Sequence, residues 1–279
     1  TRHEGRLVCM SVFRFKQFSV KNEKSAMKVG TDGVLLGSSM TITGFEKRML
    51  DVGTGTGLIA LMAAQRNAQA EITAVDIDEA SAREAAYNFA ESPFSERLTA
   101  LCTPLSHFSP ENSFDLIFSN PPYYDTSLLN PKPRQAAARH TESLSFRHLC
   151  AFAAEYLTRA GSGRDLSGKA VRDQEANCEN PQADCGSEAK TPAGRLSIIL
   201  PSECERELLR TAASYGLQLF RILRIRTTPA KPFSRIIAEF TISVNASLES
   251  LPLEEELTLL QEDGSRSPEY KALTSVFYL

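Results

Sequence analysis

No stretch of the 279-residue chain approaches the ~20 consecutive apolar residues that span a bilayer. No charged-then-apolar leader opens it, so the expectation is a protein that neither crosses a membrane nor is exported. Cysteine is sparse: the six residues at 9, 102, 150, 178, 185 and 204 form no C-x-x-C pair. The four histidines, His3, His107, His140 and His148, show no ligand spacing. No metal site is expected, and a reduced, cytosolic compartment is the default reading. Nor is there an excess of positive charge, since 31 Lys+Arg stand against 34 Asp+Glu. A wholly basic nucleic-acid coat is excluded, while a local basic patch is not. With 42% hydrophobic and 23% charged residues the chain is globular, long enough for one elaborated domain or two small ones.

The apolar pattern alternates between strand-like and helix-like stretches. Strands are predicted at 48–52, 72–75, 98–102, 116–118, 196–200, 219–226 and 236–244. Helices are predicted at 58–64, 79–91, 146–159 and 203–215, the last capped by Ser202. Repeated βα units with a β-rich finish predict an α/β sandwich around a mostly parallel sheet. Residues 161–194 stand apart, with ten charged residues and only Leu166 and Val171 as large aliphatics. That composition cannot offset its ordering entropy, so an exposed, flexible insertion is expected.

Asp51-Val52-Gly53-Thr54-Gly55-Thr56-Gly57 lies where the first of these strands hands over to a helix. Its glycines let backbone approach a ligand closely. The spacing is neither the dinucleotide fingerprint nor a phosphate loop. An Asp at the strand end repels a pyrophosphate and suits a positively charged ligand. Asp76 closes the next strand, ~20 residues beyond the last glycine, where a carboxylate binds a ribose diol. The arrangement resembles the S-adenosylmethionine (SAM) site of class I methyltransferases, with Gly53, Gly55 and Gly57 against the ligand and Asp76 and Ile77 beside its nucleoside.

The fourth strand runs into Asn120-Pro121-Pro122-Tyr123. The prolines fix their own φ angles and remove two donors, leaving a rigid shelf of acceptors. The Asn120 side chain and the Pro121 carbonyl could then hold the hydrogens of an exocyclic amine, and Tyr123 offers a ring for stacking a planar base or amide. The same residues also make an ordinary rigid turn. Position at the end of the fourth strand favours the catalytic reading.

Beyond these motifs the chain resembles the bacterial tRNA(Val) N6-adenine methyltransferases, which modify adenine 37. Phe13-Arg14-Phe15-Lys16-Gln17-Phe18-Ser19-Val20, the segment Met27–Gly37 and the ending Tyr270–Leu279 are similar to that family's opening and closing signatures. The resemblance covers nearly everything except 161–194. It implies a Rossmann-like class I SAM-dependent methyltransferase with a mostly parallel seven-stranded sheet. Residues 1–47 would form an N-terminal cap on a core at 48–279, with Lys28, Thr31 and Asp32 closing the cofactor pocket. The implied cofactor is SAM and the implied partner is tRNA, acted on by a monomer. One departure is the text after the third strand, Leu101-Cys102-Thr103-Pro104-Leu105, which lacks the acidic residue that many class I enzymes direct at the SAM adenine.

Charge placement agrees with a polyanionic substrate. Residues 1–28 hold seven Lys/Arg against two acids, and 221–235 hold five against none. Arg224, Arg226, Lys231 and Arg235, with Arg134, Arg139 and His140 downstream of the catalytic turn, are the expected RNA contacts. The competing reading of the 221–235 arginines is a solvated face of an edge strand. Competing functions are a protein glutamine N5-methyltransferase, a DNA N6-adenine methyltransferase and a catalytically silent RNA-binding module.

Overall fold

The computed structural model describes residues 12–25, 28–122, 145–160, 192–242 and 251–278. Its centre is strand β3 (Arg48–Val52), which pairs in parallel with β4 (Glu71–Asp76) on one side and β6 (Leu116–Ser119) on the other. From β4 the chain moves outward to β5 (Leu98–Cys102), then returns across the sheet to β6. The strand order therefore reverses at β3, and the crevice beyond the carboxyl ends of β3 and β6 is where open α/β sheets bind ligands. Beyond β6 come β7 (Arg195–Pro201), parallel, and β9 (Arg235–Ile242) and β8 (Leu217–Arg226), joined antiparallel.

The sheet has eight strands where seven were expected. The added edge strand, β10 (Leu253–Thr258), pairs in parallel with β8. Its sequence LEEELT reads as acidic surface, yet Leu257 is buried in the core and the three glutamates are matched by arginines of β8. Arg221 pairs with Glu255, Arg224 with Glu254, and Arg226 with Glu256. Arg221 also reaches Glu239 of β9 at 2.6 Å, a carboxylate with no solvent exposure.

Side chains alternate between two apolar clusters, one on each face. Leu50, Val52, Ile117, Ile198 and Phe240 meet α4 (Phe146–Tyr156) and α5 (Glu205–Ser214). Met49, Phe118, Ile199 and Ile237 meet α1 (Thr31–Ser39) and α2 (Leu58–Arg66), in a cluster extended by Ala85 and Phe89 of α3 (Glu79–Ala90). Helix α1 falls inside the segment expected as a cap, yet its Val34, Leu35 and Leu36 are buried in this core. The short antiparallel pair β1 (Val12–Arg14) and β2 (Ser19–Lys21) lies outside the main sheet. Phe15, next to β1, stacks on Phe18 and on Tyr278 beyond α6 (Pro268–Thr274), so the opening and closing signatures touch.

Two local expectations are corrected. Ser202 does not cap α5; its hydroxyl donates to the Phe233 carbonyl at 2.7 Å, and a short 3₁₀ turn precedes the helix. Helix α4 stops at Tyr156 rather than 159, because Leu157 turns to bridge Phe114. Most of the expected insertion, 161–191, lies outside the described residues, as does the end of the strand expected to reach 244. Gly194, at the insertion's far end, belongs to the core: its N–H donates to Thr158 at 2.8 Å, and a Cβ there would sit 2.7 Å from the Phe114 carbonyl oxygen.

Candidate active site

Val52 and Ser119 are register partners at the ends of β3 and β6, and the Ser119 hydroxyl donates to the Val52 carbonyl at 2.7 Å. The next residues along these neighbouring strands are Gly53 and Asn120. Both line one cleft of about 480 Å³. Thr54, Gly55 and Thr56 of the loop form its floor with Leu58 and Ile59, while Lys28, Val29, Gly30, Thr31, Asp32 and Arg235 complete the wall.

The loop owes its shape to three glycines at positive φ, 71° at Gly53, 57° at Gly55 and 81° at Gly57, where a side chain is strained. Their roles differ. Gly53 and Gly55 line the cleft, whereas Gly57 is turned to the protein, since a Cβ on it would lie 2.5 Å from the Phe89 ring. Of the three glycines expected against the ligand, two line the cleft. Gly57 lets α2 and α3 approach.

Two carboxylates organise the loop. Asp51 is fully buried and accepts the Thr54 hydroxyl at 2.7 Å. Burial pushes its carboxyl up to about 7, opposed by the Thr54 hydroxyl and reinforced by the charge of Asp76. Asp76 accepts the Gly55 N–H at 2.8 Å through one oxygen and the Asp78 N–H at 2.9 Å through the other. Burial raises its carboxyl too, and these N–H donors pull it back. Each oxygen retains a lone pair for a diol. Ile77, beside it, is half exposed.

Across the cleft, the Arg235 Nε donates to the Asp32 carboxylate at 2.9 Å. Asn120 is nearly buried, with 9% of its surface exposed, and Pro121 and Pro122 follow it without regular structure. The arrangement offers left-handed backbone for close approach, a buried acid for a positive charge, an acid for a diol and an amide beside them. These residues fit a nucleoside that carries a sulfonium.

The Methyltransferase small domain profile matches residues 24–162. The tRNA1(Val) (adenine(37)-N6)-methyltransferase of Phocaeicola vulgatus is 37% identical over 96% of this chain and 97% of its own. The namesake from Bacteroides thetaiotaomicron is 34% identical over the same shares. The chain belongs to this methyltransferase family. Among solved structures, a predicted O-methyltransferase from Agrobacterium tumefaciens superposes with a TM-score of 0.57 at 16% identity, over 88% of this chain and 96% of that one. A methyltransferase from Pyrococcus furiosus gives 0.51 at 17% identity, over 81% and 90%. These two show the class I fold.

Of the residues expected at the site of such a methyltransferase, Lys28, Thr31, Asp32, Gly53, Gly55, Asn120 and Arg235 line the cleft together. Asp51 and Asp76 brace its floor from behind. Tyr123, Arg134, Arg139 and His140 lie outside the described residues. Arg224 and Arg226 are not brought to the cleft wall. Arg224 donates to Glu205 at 2.6 Å and to Glu254 at 2.7 Å, and Arg226 pairs with Glu256 while covering the Phe233 ring. Their partners come from other elements, so counting acids within 221–235 could not find them. Lys231 stands exposed in the turn between β8 and β9.

Sequence reasoning missed Thr54, whose three-residue offset from Asp51 is the signal that could have found it. It also missed Glu84 and Asn88, polar positions within an apparently ordinary amphipathic helix. Among the described residues no group of His, Cys, Asp and Glu could hold a metal, and no helix is long and apolar enough to cross a membrane.

Proposed function

We propose that this protein methylates the exocyclic N6 of adenine 37 in tRNA1(Val), with SAM as methyl donor. The reading is supported by the relatives' shared activity over nearly the whole chain. One observation carries it physically: the Val52–Ser119 register sets Asn120 beside the glycine loop, so an amide acceptor and a nucleoside cleft share one wall. Gly53, Gly55, Asp51, Asp76 and Lys28 through Asp32 would hold the cofactor. When bound, it supplies a methyl group on a sulfonium whose leaving group is a neutral thioether.

Because that leaving group needs no protonation, the protein's work is orientation and exclusion of water. The Asn120 side-chain oxygen accepts a hydrogen of the adenine amine, drawing it from the plane of the ring. The Pro121 carbonyl accepts a hydrogen bond from the second, and the proton that the methylated nitrogen must shed passes to solvent. Arg235 tracks phosphate near the flipped base. We place the reaction in the cytoplasm, where its tRNA substrate is. We take the acting species as a monomer.

The test is incubation of the purified protein with SAM and either a tRNA1(Val) transcript or the same transcript carrying guanine at position 37. Nucleoside mass spectrometry should show N6-methyladenosine only in the first. Equal product from both, or none from either, would overturn the assignment.

A further inference from the structure

From β2 toward the cleft-lining Lys28 runs the tetrapeptide Asn22-Glu23-Lys24-Ser25, which has no apolar side chain of its own to anchor it. Helix α3 holds it instead. The Glu84 carboxylate accepts three successive backbone N–H groups, from Glu23 at 2.7 Å, Lys24 at 2.9 Å and Ser25 at 2.8 Å. One turn on, the Asn88 side chain accepts the Lys21 N–H at 2.8 Å. It donates to the Lys21 carbonyl at 2.9 Å and to the carbonyl of Thr56, in the glycine loop, at 2.8 Å. One turn before Glu84, the hydroxyls of Ser81 and Ser25 lie 3.2 Å apart. The spacing of 81, 84 and 88 puts all three on one helix face.

Such a cluster is expensive to bury unless it is satisfied. Ser25, Ser81, Glu84 and Asn88 are each at most 5% exposed. Despite burial, the three N–H donors and the positive charge of Lys28 hold the Glu84 carboxyl below the usual range. Lys28 closes the circuit, its Nζ donating to the Glu23 carbonyl at 2.9 Å while the residue lines the cleft. One helix face thus grips both walls of the cofactor cleft, the N-terminal segment through Glu84 and the glycine loop through Asn88.

We propose that Glu84 and Asn88 are positioning residues that set cofactor affinity by holding residues 21–25, which lead to the cleft-lining Lys28, in register with the glycine loop. The inference rests on the reading of this cleft as the SAM site. If the segment swings away, the competent state becomes a fraction of the population and the apparent dissociation constant rises by the reciprocal of that fraction. The tRNA side of the cleft is built from β6 and β9, so its KM at saturating SAM stays near the parent value.

The experiment compares SAM binding by calorimetry in the full-length parent, Glu84→Ala and Glu84→Gln, with hydrogen exchange at the amides of residues 23–25. Glu84→Ala should weaken SAM binding by about tenfold or more and speed that exchange, while the tRNA KM changes by less than about twofold. Glu84→Gln keeps one acceptor oxygen and should fall between, which also covers the case in which Glu84→Ala does not fold. Ser25→Cys with Ser81→Cys in the Glu84→Ala background supplies a staple, because the parent hydroxyls already lie close. Oxidation should restore SAM affinity and reduction should remove it. A parent that binds SAM while both Glu84 variants bind it equally well overturns the proposal alone, as does a loss of affinity that the oxidised staple fails to restore. A parent that does not bind SAM overturns the reading of the cleft itself.

Discussion

Arg235 opens β9 and Asp32 lies in the first turn of α1, yet the guanidinium Nε of one is 2.9 Å from the carboxylate of the other, and both line the cleft. The pair fixes the Arg235 guanidinium at the cleft wall. The neighbouring Arg224 and Arg226 are placed differently, away from the cleft lining, Arg224 tying both α5 and β10 to β8 and Arg226 tying β10.

Separate consequences follow for the two groups. Arg235→Ala should raise the tRNA KM and reduce the salt dependence of tRNA binding by about one counterion. Arg226→Ala should leave both nearly unchanged and lower stability by about 0.2–1 kcal/mol, the range for exposed pairs. Filter-binding titrations across a salt series, with urea unfolding alongside, separate these outcomes; a common salt slope for both variants would show that Arg235 does not meet phosphate.

The contrast shows what a linear reading can reach. Strand β3, its glycine loop, Asp76 and the Asn120 segment were legible because each is local, a strand period meeting residues with special backbone needs. Strand β10 was not, because LEEELT has little apolar character and its glutamates are matched by arginines more than 25 positions away. Glu84 was equally hidden, since its partners are backbone amides about 60 positions upstream, and backbone amides leave no mark on sequence.

Gly57 tests the division of labour within the loop. Its φ of 81° disfavours any side chain, and a Cβ would press into the Phe89 ring at 2.5 Å. Gly57→Ala should therefore destabilise the fold by about 1–3 kcal/mol through strain and overpacking together. Adding Phe89→Leu should recover the packing part and leave the backbone part. Equal denaturation midpoints for parent and Gly57→Ala would show that the residue only faces the ligand.

Asp51 predicts a pH dependence with a definite direction. Burial raises its folded carboxyl to about 7, above the unfolded value near 3.9. Stability from this group is thus fully present below about pH 4 and is lost as pH rises through about 7. A cationic ligand prefers the ionised form, so SAM binding should release protons and tighten between about pH 6 and 8. Lys28, Asp32 and Arg235 line the cleft and the raised carboxyl of Asp76 lies behind its floor with Asp51, so the assignment needs Asp51→Asn as control. Calorimetry in buffers of different ionisation enthalpy should show proton release in the parent and much less in that variant. Proton uptake by the parent would reverse the argument.

Asn120 carries the chemical part of the proposal. It follows β6, is nearly buried, and neighbours Ser119, whose hydroxyl bridges to β3, so its position is fixed by the sheet. Its amide oxygen should hold an N6 hydrogen more strongly as the amine becomes tetrahedral and positively charged. That gain appears mainly in the transition state, and interactions of this kind lower barriers. Asn120→Ala should therefore slow methyl transfer by about thirtyfold to a thousandfold, on the order of 2 to 4 kcal/mol, with fold and SAM binding kept. Asn120→Asp retains an acceptor oxygen in the same place and should keep appreciable activity. The measurement is a single-turnover rate with SAM and tRNA both saturating, which removes binding from the comparison. If Asn120→Ala matches the parent under those conditions, the amide takes no part in the reaction and the Asn-Pro-Pro segment only shapes the cleft.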